Sequence, residues 1–301
     1  MSNANIKIID PTKYPGWDEL LLTNPQSSFF HTSAWAKVLI NSYGYKPFYF
    51  ARIENKKLQA LLAVMEINSF LTGKRGVSLP FTDHCPVIAK DKHVFLHLFD
   101  FVVDYGIQHG WQSLEIRGGN QFLGDEIPSD IFKTHMLDLS AGKEDVLATF
   151  RDSTRRNIRK AQKVDLKVID SRSMTSMAQF YELNCLTRKD HGLPPQPLYF
   201  FKEIHKHIMA PQKGSVLLAF ENGGRCIAGA IFYNFNGKVV FKYGASDKRS
   251  HRLRPNNLVM WEAIKKYSQN GSMSFDFGRT DLDHKGLLQF KKGWGTQEGQ
   301  I

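Results

Sequence analysis

The chain has 301 residues, of which 42% are hydrophobic and 23% charged, as in ordinary globular proteins. That length suffices for two domains or for one large one. No apolar run approaches ~18 residues, and residues 1–10 lack the basic-then-apolar order of a secretory signal, so neither a membrane span nor a signal peptide is predicted. Three unpatterned cysteines are typical of a reducing compartment, and we expect a cytoplasmic protein.

The charge is unevenly distributed along the chain. Residues 1–140 contain 13 basic and 14 acidic side chains, whereas residues 141–301 contain 27 and 15. The net charge of +11 therefore belongs to the second half. This excess indicates a polyanionic partner there: cofactor phosphates, a nucleotide-linked substrate, an RNA or an anionic membrane surface.

The first half predicts two short helices, three strands, a long helix and a final strand. Hydrophobic periodicity and turn residues place these elements. In chain order they are helices near 17–22 and 32–42, strands 48–53, 58–67 and 77–80, a helix over 92–108 and a strand over 111–117.

The second half predicts the same plan with more charge. Asn236-Gly237 is a strong type I′ hairpin signal, and Pro255 suits a first helical position. In chain order the elements are a strand over 166–170, helices 173–190 and 198–209, strands 216–220, 226–234 and 239–245, a helix over 255–269 and a strand over 273–277.

An internal duplication is predicted from the joints between the last helix and the last strand of each half. Residues 110–119 align with residues 271–280, about 160 positions later, so that a glycine, a serine, an apolar residue and an acid coincide. Together with the matching order of elements, this alignment favours two copies of one fold.

A run of six basic residues lies between the two halves, over residues 151–163. On a helix, Arg155 and Arg159 line one face, and Arg156 lies beside them. Asp152 is the only acid in the run, so most of this charge is unneutralised. The run is consistent with a solvated linker helix or with a surface that binds phosphates.

The C-terminal segment places charge directly after an apolar strand, a pattern typical of a site. Lys291 could stabilise an oxyanion, although an ordinary surface pair with Lys292 is the alternative. Asp276 is a candidate base because burial among aromatics would raise its pKa, and a carboxylate paired with Arg279 or another strand neighbour is the alternative.

A polar loop in the first half contains Asp83 and His84 just after an apolar strand. It predicts either contact with an acceptor substrate or a turn with capping side chains. Adjacent ligands cannot all point at one ion, and no second Cys/His pair has ligand spacing, so no metal site is expected. Nucleophile, Walker and dinucleotide glycine motifs are absent from the sequence.

Several blocks resemble the FemAB-like aminoacyltransferases, a branch of the GNAT acyltransferase superfamily built from two tandem GNAT domains. The similarity covers nearly the whole chain and points to the branch linked to peptidoglycan and envelope polysaccharides. The blocks are Ser27 to Trp35, Ser153 to Gln162, Thr187 to Pro195, Tyr243 to Asp247, Asn257 to Ile264 and Phe275 to Arg279 with Phe290 to Trp294.

The resemblance implies an α/β fold with two tandem GNAT-like domains, each a mixed, largely antiparallel sheet flanked by helices. We expect a first domain over residues 1–140, a basic connecting helix over 141–164 and a second domain over 165–301. Because the fold has a further strand after Gly295, truncation of the C-terminal strand at Ile301 is an alternative.

The resemblance also implies transfer of an aminoacyl or acyl group to a primary amine of a cell-envelope precursor, either a small molecule or lipid-linked. The donor co-substrate would be aminoacyl-tRNA or acyl-CoA, with no tightly bound cofactor. The basic half would also permit contact with the inner membrane surface. A non-catalytic module that binds RNA or anionic lipid is the alternative.

The resemblance assigns roles to particular residues. Phe290 and Lys291 would support the transition state, with Asp276 as a candidate base, and an interdomain groove would hold the acceptor. The donor phosphates would be held by Arg155, Arg156, Arg159, Arg249, Arg252 and Arg279, and the acceptor by Asp83, His84 and Arg117. GNAT enzymes that bind CoA usually have a glycine-containing loop before the corresponding helix, whereas residues 249–256 contain no glycine, which argues against CoA.

Overall fold

Two separate sheets, one in each half of the chain, organise the fold. The structure is a computed structural model that describes residues 6–124 and 126–301. Their contacts divide the chain into two compact units, one up to Asp130 and one from Ile131 to Gln300. Each unit has its own sheet with flanking helices, so the predicted α/β class is confirmed.

The first unit is built on a five-stranded sheet in the order β1-β2-β3-β4-β5. The pairs from β1 to β4 are antiparallel, and β4 pairs with β5 in parallel. The elements are β1 (Ile6–Ile9), α1 (Trp17–Leu21), α2 (Ser33–Tyr43), β2 (Lys46–Glu54), β3 (Lys57–Ser69), β4 (Gly73–Val77), α3 (Lys92–Gln108) and β5 (Leu114–Glu115).

The second unit contains the larger sheet, in the order β12-β6-β11-β10-β9-β8-β7, with β13 also paired to β6. A π-helical turn, His205–Met209, extends α7. The elements are β6 (Phe132–Asp138), α4 (Lys143–Thr149), α5 (Asp152–Lys163), β7 (Lys167–Ser171), α6 (Met174–Asp190), α7 (Leu198–Ile204), β8 (Gly214–Phe220), β9 (Cys226–Phe235), β10 (Lys238–Ser246), α8 (Pro255–Gln269), β11 (Ser274–Asp276), β12 (Thr280–Asp281), α9 (Lys285–Lys292) and β13 (Gln297–Gln300).

The two units repeat one arrangement of strands and helices. In the first unit three antiparallel strands, β2 to β4, are followed by α3 and by β5, which pairs in parallel with β4. In the second unit β8 to β10 are followed by α8 and by β11, which pairs in parallel with β10. The helix-to-strand joints that align in sequence, 110–119 and 271–280, thus lie at equivalent places in the two sheets.

The boundary between the units differs from the prediction. Residues 131–140 were expected in the first domain, but β6 pairs with β11, β12 and β13 in the second sheet. The basic segment is likewise part of the second unit rather than a connecting helix, because α5 buries Thr154, Ile158 and Ala161 and packs on α8. Residues 297–300 form a strand on β6, where the fold requires one.

The partial pairing of β10 creates an opening in the second sheet. Only Lys238, Val239 and Val240 pair with β11, whereas the rest of β10 continues on β9 through a register shift between Phe241 and Tyr243. Among the described residues, the second half of β10 therefore has no strand beside it on the β11 side, and α8 packs across the sheet. No helix in the described residues is long and apolar enough to cross a bilayer.

Candidate active site

A cavity of about 470 Å³ lies in the second unit beside the unpaired half of β10. Elements that are distant in sequence surround it: α6, β9, β10, the segment before α8, α8 itself and α9. Its lining residues are Thr187, Asp190, His191, Gly229, Ala230, Phe241, Gly244, Ala245, Ser246, Lys248, His251, Asn256, Val259, Met260, Leu287 and Phe290.

Backbone forms part of the cavity wall, because two glycines occupy the strands that line it. A Cβ atom at Gly244 would lie 2.7 Å from Cζ of Phe241, and one at Gly229 would lie 2.6 Å from Cδ2 of Leu218. At these distances a side chain at either position would force the neighbouring side chain to shift, so glycine keeps this wall thin. An extended acyl or aminoacyl group could therefore approach the strand backbone closely.

A connected polar group lies on the otherwise largely apolar lining. The backbone N–H of Ser246 donates to Oγ1 of Thr187 at 3.0 Å, which fixes the end of β10 against α6. The Ser246 hydroxyl lies 2.9 Å from Nε2 of His251, and Nδ2 of Asn256 donates to the same Oγ at 3.0 Å. Three side chains capable of exchanging or orienting a proton thus meet at the cavity.

The segment between β10 and α8 is held by ion pairs instead of glycines. Asp247 accepts the backbone N–H of Arg249 at 2.9 Å, which caps a 3₁₀ turn over Lys248–Leu253. Hydrogen bonds and charge from Arg249, with further attraction from Arg225, lower the pKa of Asp247 to about 2. Arg249, a predicted phosphate ligand, therefore already has an anionic partner, whereas Arg252 is exposed on the same turn.

The predicted Phe290-Lys291 pair lies on α9 with its two side chains in different surroundings. Phe290 lines the cavity and packs on Trp294, with ring centroids 5.8 Å apart. Lys291 is buried, and its Nζ donates to the carbonyl oxygens of Gly278 at 2.9 Å and Arg279 at 3.1 Å. Lys291 is not among the residues that line the cavity. This geometry favours a positioning role over direct contact with a bound donor.

Asp276 and Arg279 stabilise the turn that Lys291 contacts. Oδ1 of Asp276 accepts the backbone N–H of Gly278 at 2.7 Å, and the Arg279 guanidinium lies 4.0 Å from the ring centroid of Phe132. Neither residue lines the cavity. This hydrogen bond gives the Asp276 carboxylate a structural role, because it caps its own loop. A role for Asp276 as a base stays a prediction.

The basic helix α5 borders a second cavity, of about 290 Å³. Arg155 and Arg159 line it with Lys143 and Lys265, above a floor that includes Trp261. Arg156 is exposed on the same helix, and Arg155 forms an ion pair with Asp152. Arg155 and Arg159 therefore line a cavity that is separate from the larger one, and phosphate binding by the α5 arginines stays a prediction.

The three predicted acceptor residues come together in the first unit. Nη1 of Arg117 donates to the carbonyl oxygen of Thr82 at 3.2 Å, and the backbone N–H of Cys85 donates to the carbonyl oxygen of Arg117 at 2.8 Å. Burial lowers the pKa of His84, which favours a neutral imidazole beside Asp83. Arg117 also pairs with Glu115 at 2.7 Å.

Sequence reasoning missed the polar group at Ser246, His251 and Asn256. The available signal was the end of an apolar strand, Tyr243 to Asp247, followed by a histidine and an asparagine just before a helix. The positions of these residues along the chain do not show that their side chains meet. Their contacts depend on the turn over Lys248–Leu253, which places His251 and Asn256 against Ser246 at the end of β10.

The chain resembles known proteins in sequence and in fold. Residues 148–286 match the family described as Acetyltransferase (GNAT) domain. A lipid II:glycine glycyltransferase of Staphylococcus haemolyticus is 32% identical over 100 residues, which are 31% of this chain and 24% of that protein. The matched segment thus spans about a quarter of this relative's length.

Solved structures extend the likeness to both units. FemX aligns over 98% of this chain and 96% of its own, with a TM-score of 0.78 at 15% identity. A tandem GNAT protein from the clavulanic acid biosynthesis pathway aligns over 98% and 96%, with a TM-score of 0.56 at 8% identity. Identities this low show a common fold alone. Together with the sequence matches, they show that the chain is similar to FemAB-like proteins of the GNAT superfamily.

Proposed function

We propose that this protein is an N-acyltransferase that moves an aminoacyl or acyl group from an activated ester or thioester to a primary amine of a lipid-linked cell-envelope precursor. The observation that carries the proposal is the cavity beside β10, with Ser246 and His251 hydrogen-bonded on its wall. The glycyltransferases among its relatives act on lipid II, which motivates this acceptor class.

The reaction requires the amine to lose a proton as it attacks. The amine nitrogen forms a bond to the carbonyl carbon, giving a tetrahedral oxyanion, and collapse of that intermediate breaks the bond to the leaving oxygen or sulfur. Because Asn256 donates to the Ser246 hydroxyl, the serine proton is directed toward Nε2 of His251. His251 would take up the amine proton through Ser246 and return it to the leaving group.

The segment over Lys248–Leu253 supports an aminoacyl ester donor over acyl-CoA. It lacks the glycines that let backbone N–H groups approach a pyrophosphate, and Arg249 is paired with Asp247. Lys248 remains on the cavity lining as a cation for a single phosphate near the ester. The arginines of α5 would bind phosphates of a long polyanionic donor such as tRNA.

The Asp83, His84 and Arg117 cluster is proposed to contact the acceptor. The Arg117 guanidinium has five N–H donors, and beyond those bonded to Glu115 and Thr82 it would offer donors to a carboxylate or phosphate of an envelope precursor. Neutral His84 offers a hydrogen-bonding ring. Substitution of Arg117 by Lys would keep the charge but lose the planar fork. We therefore expect that change to raise the KM for the acceptor more than that for the donor.

The test is a transfer assay with purified protein and lipid II as acceptor, run in parallel with glycyl-tRNA and acetyl-CoA. The acylated product is measured by mass spectrometry. We expect product with glycyl-tRNA, and a loss of about 100-fold in kcat for His251→Gln and for Ser246→Ala. His207→Ala is the matched control, because His207 pairs with Glu203 and does not line the cavity.

Two results separate this proposal from its alternative, a module that only binds RNA or anionic lipid. Such a module would bind tRNA with steep salt dependence and release no acylated product with either donor. Full activity of His251→Gln would refute the proton path while leaving the transfer reaction intact. Product formed from acetyl-CoA alone would refute the donor assignment.

A further inference from the structure

The hairpin between β3 and β4 carries two large apolar side chains at its tip. Phe70 is 103% exposed and Leu71 is 89% exposed, so both residues are almost fully accessible to solvent. Ser69 pairs with Gly73, and Gly73 has a φ of +68°, so the turn is a tight three-residue loop. The tip therefore projects both side chains from a defined, paired scaffold.

The same end of the first unit presents a further apolar side chain from α3. The Lys74 ammonium donates to the carbonyl oxygen of His109 at 2.9 Å, which ties the hairpin to the C-terminal end of α3. Ile107, on the last turn of that helix, is 71% exposed. The apolar tip and this helix end thus lie on neighbouring elements.

Cations lie just behind the apolar tip. Residues 66–75 contain two cations, Lys74 and Arg75, and a single carboxylate, Glu66. Lys46, on β2, lies opposite Glu66, on β3. Glu66 is itself neutralised by Lys74 at 3.0 Å. Arg75 lies two positions beyond Gly73, where β4 begins, which is about 7 Å along the strand from the end of the turn. Apolar groups ahead of cations at this spacing match the acyl boundary and phosphate level of a bilayer surface.

We propose that the β3–β4 hairpin is a membrane-docking element that inserts Phe70 and Leu71 into the surface of a bilayer containing anionic lipid. Exposed apolar side chains cost free energy in water, and a bilayer removes them from it while its phosphates attract Lys46 and Arg75. Lys74 and Glu66 neutralise each other. Two side chains and a few cations give weak, reversible attachment. This inference does not depend on the acyl-transfer proposal, and it holds for a protein without that activity.

Vesicle flotation tests the inference directly. The full chain is mixed with phosphatidylcholine vesicles that contain or lack phosphatidylglycerol, and the bound fraction is measured at low and high salt. We expect binding to the anionic vesicles, weakened by salt, and a loss of at least about tenfold in partitioning for the double variant Phe70→Ser/Leu71→Ser. Ile127→Ser is the matched control, since Ile127 is 96% exposed outside this hairpin.

A spectroscopic measurement reports insertion independently of the amount bound. Phe70→Trp places an indole at the tip, and we expect a blue shift in its emission and quenching by brominated lipids when anionic vesicles are added. Ile127→Trp should show neither change. Equal flotation of the double variant and the unchanged chain, or no blue shift, would overturn the proposal. Light scattering that shows a tip-dependent dimer with no vesicle binding would overturn it in favour of self-association.

Discussion

Replacement of Lys291 by methionine separates the two roles that this lysine could have. Lys291 is 3% exposed, and its ammonium donates to two backbone carbonyls at the turn between β11 and β12. Each buried carbonyl that loses its donor costs about 1–3 kcal/mol. Because methionine also removes the desolvation cost of the ammonium, we expect a net loss of about 2 kcal/mol in the free energy of unfolding.

Calorimetry and transfer kinetics together check this expectation. A loss of about 2 kcal/mol corresponds to a fall of about 4–8 °C in Tm for a unit of this size. If Lys291 positions Phe290 on the cavity wall, Lys291→Met should raise the donor KM more than it lowers kcat. Lys292→Met is the control, because Lys292 is partly exposed and its ion pair with Glu298 contributes at most about 1 kcal/mol.

The positioning argument would be refuted by a specific combination of results. If Lys291→Met kept the Tm of the unchanged protein and lost only kcat, the lysine would act on the transition state and not on the fold. Lys292→Met should leave both Tm and kinetics within experimental scatter.

Further predictions concern acid stability, polyanion binding and the cavity. The pKa of Asp247 is lowered from its ordinary value of 3.8 to about 2, so its carboxylate stabilises the folded state at any pH above about 4. This stabilisation of about 1–2 kcal/mol should disappear as the pH falls from about 4 towards 2. In urea unfolding, Asp247→Asn should abolish that part of the pH dependence. Arg155→Ala with Arg159→Ala should weaken tRNA binding and reduce the slope of log K against log salt by about 1.5, measured by filter retention. Gly244→Val should fill the cavity and raise the donor KM at least about tenfold, measured in the transfer assay.

Each of these predictions has its own contrary outcome. An unchanged acid transition in Asp247→Asn would show that the ion pairs around that carboxylate contribute no stability. For the α5 arginines, Lys202→Ala with Lys206→Ala removes the same charge from exposed positions on another segment, and an equal loss there would indicate a non-specific effect. Normal donor kinetics in Gly244→Val would show that the donor does not occupy this cavity.

The regular elements of the second half were largely predictable because their signals are local. Pro255 begins α8, and Met260, Ile264 and Tyr267 on its apolar face are all buried. The Asn236-Gly237 turn joins β9 and β10 as predicted. Such features follow from backbone preferences and periodicity within a few residues.

Strand β6 was missed because its signal is not local. Residues 132–138 alternate weakly in burial, and their partners, β11, β12 and β13, lie about 140 to 165 positions later in the chain. Without those partners nothing in the segment distinguishes it from a linker. The misplaced domain boundary followed directly from this omission.

By itself, the sequence determined the α/β class, the internal repeat, the basic second half and the importance of the segment from Phe275 to Trp294. Only the tertiary structure decided which of these residues share a cavity. In the folded chain Phe290 lines the cavity, whereas Lys291 donates hydrogen bonds to two backbone carbonyls. The side chains of Ser246, His251 and Asn256 also come together only there. The physical reason is that spacing along a chain fixes the face of a helix or strand, whereas the partner of a polar side chain depends on how distant elements pack.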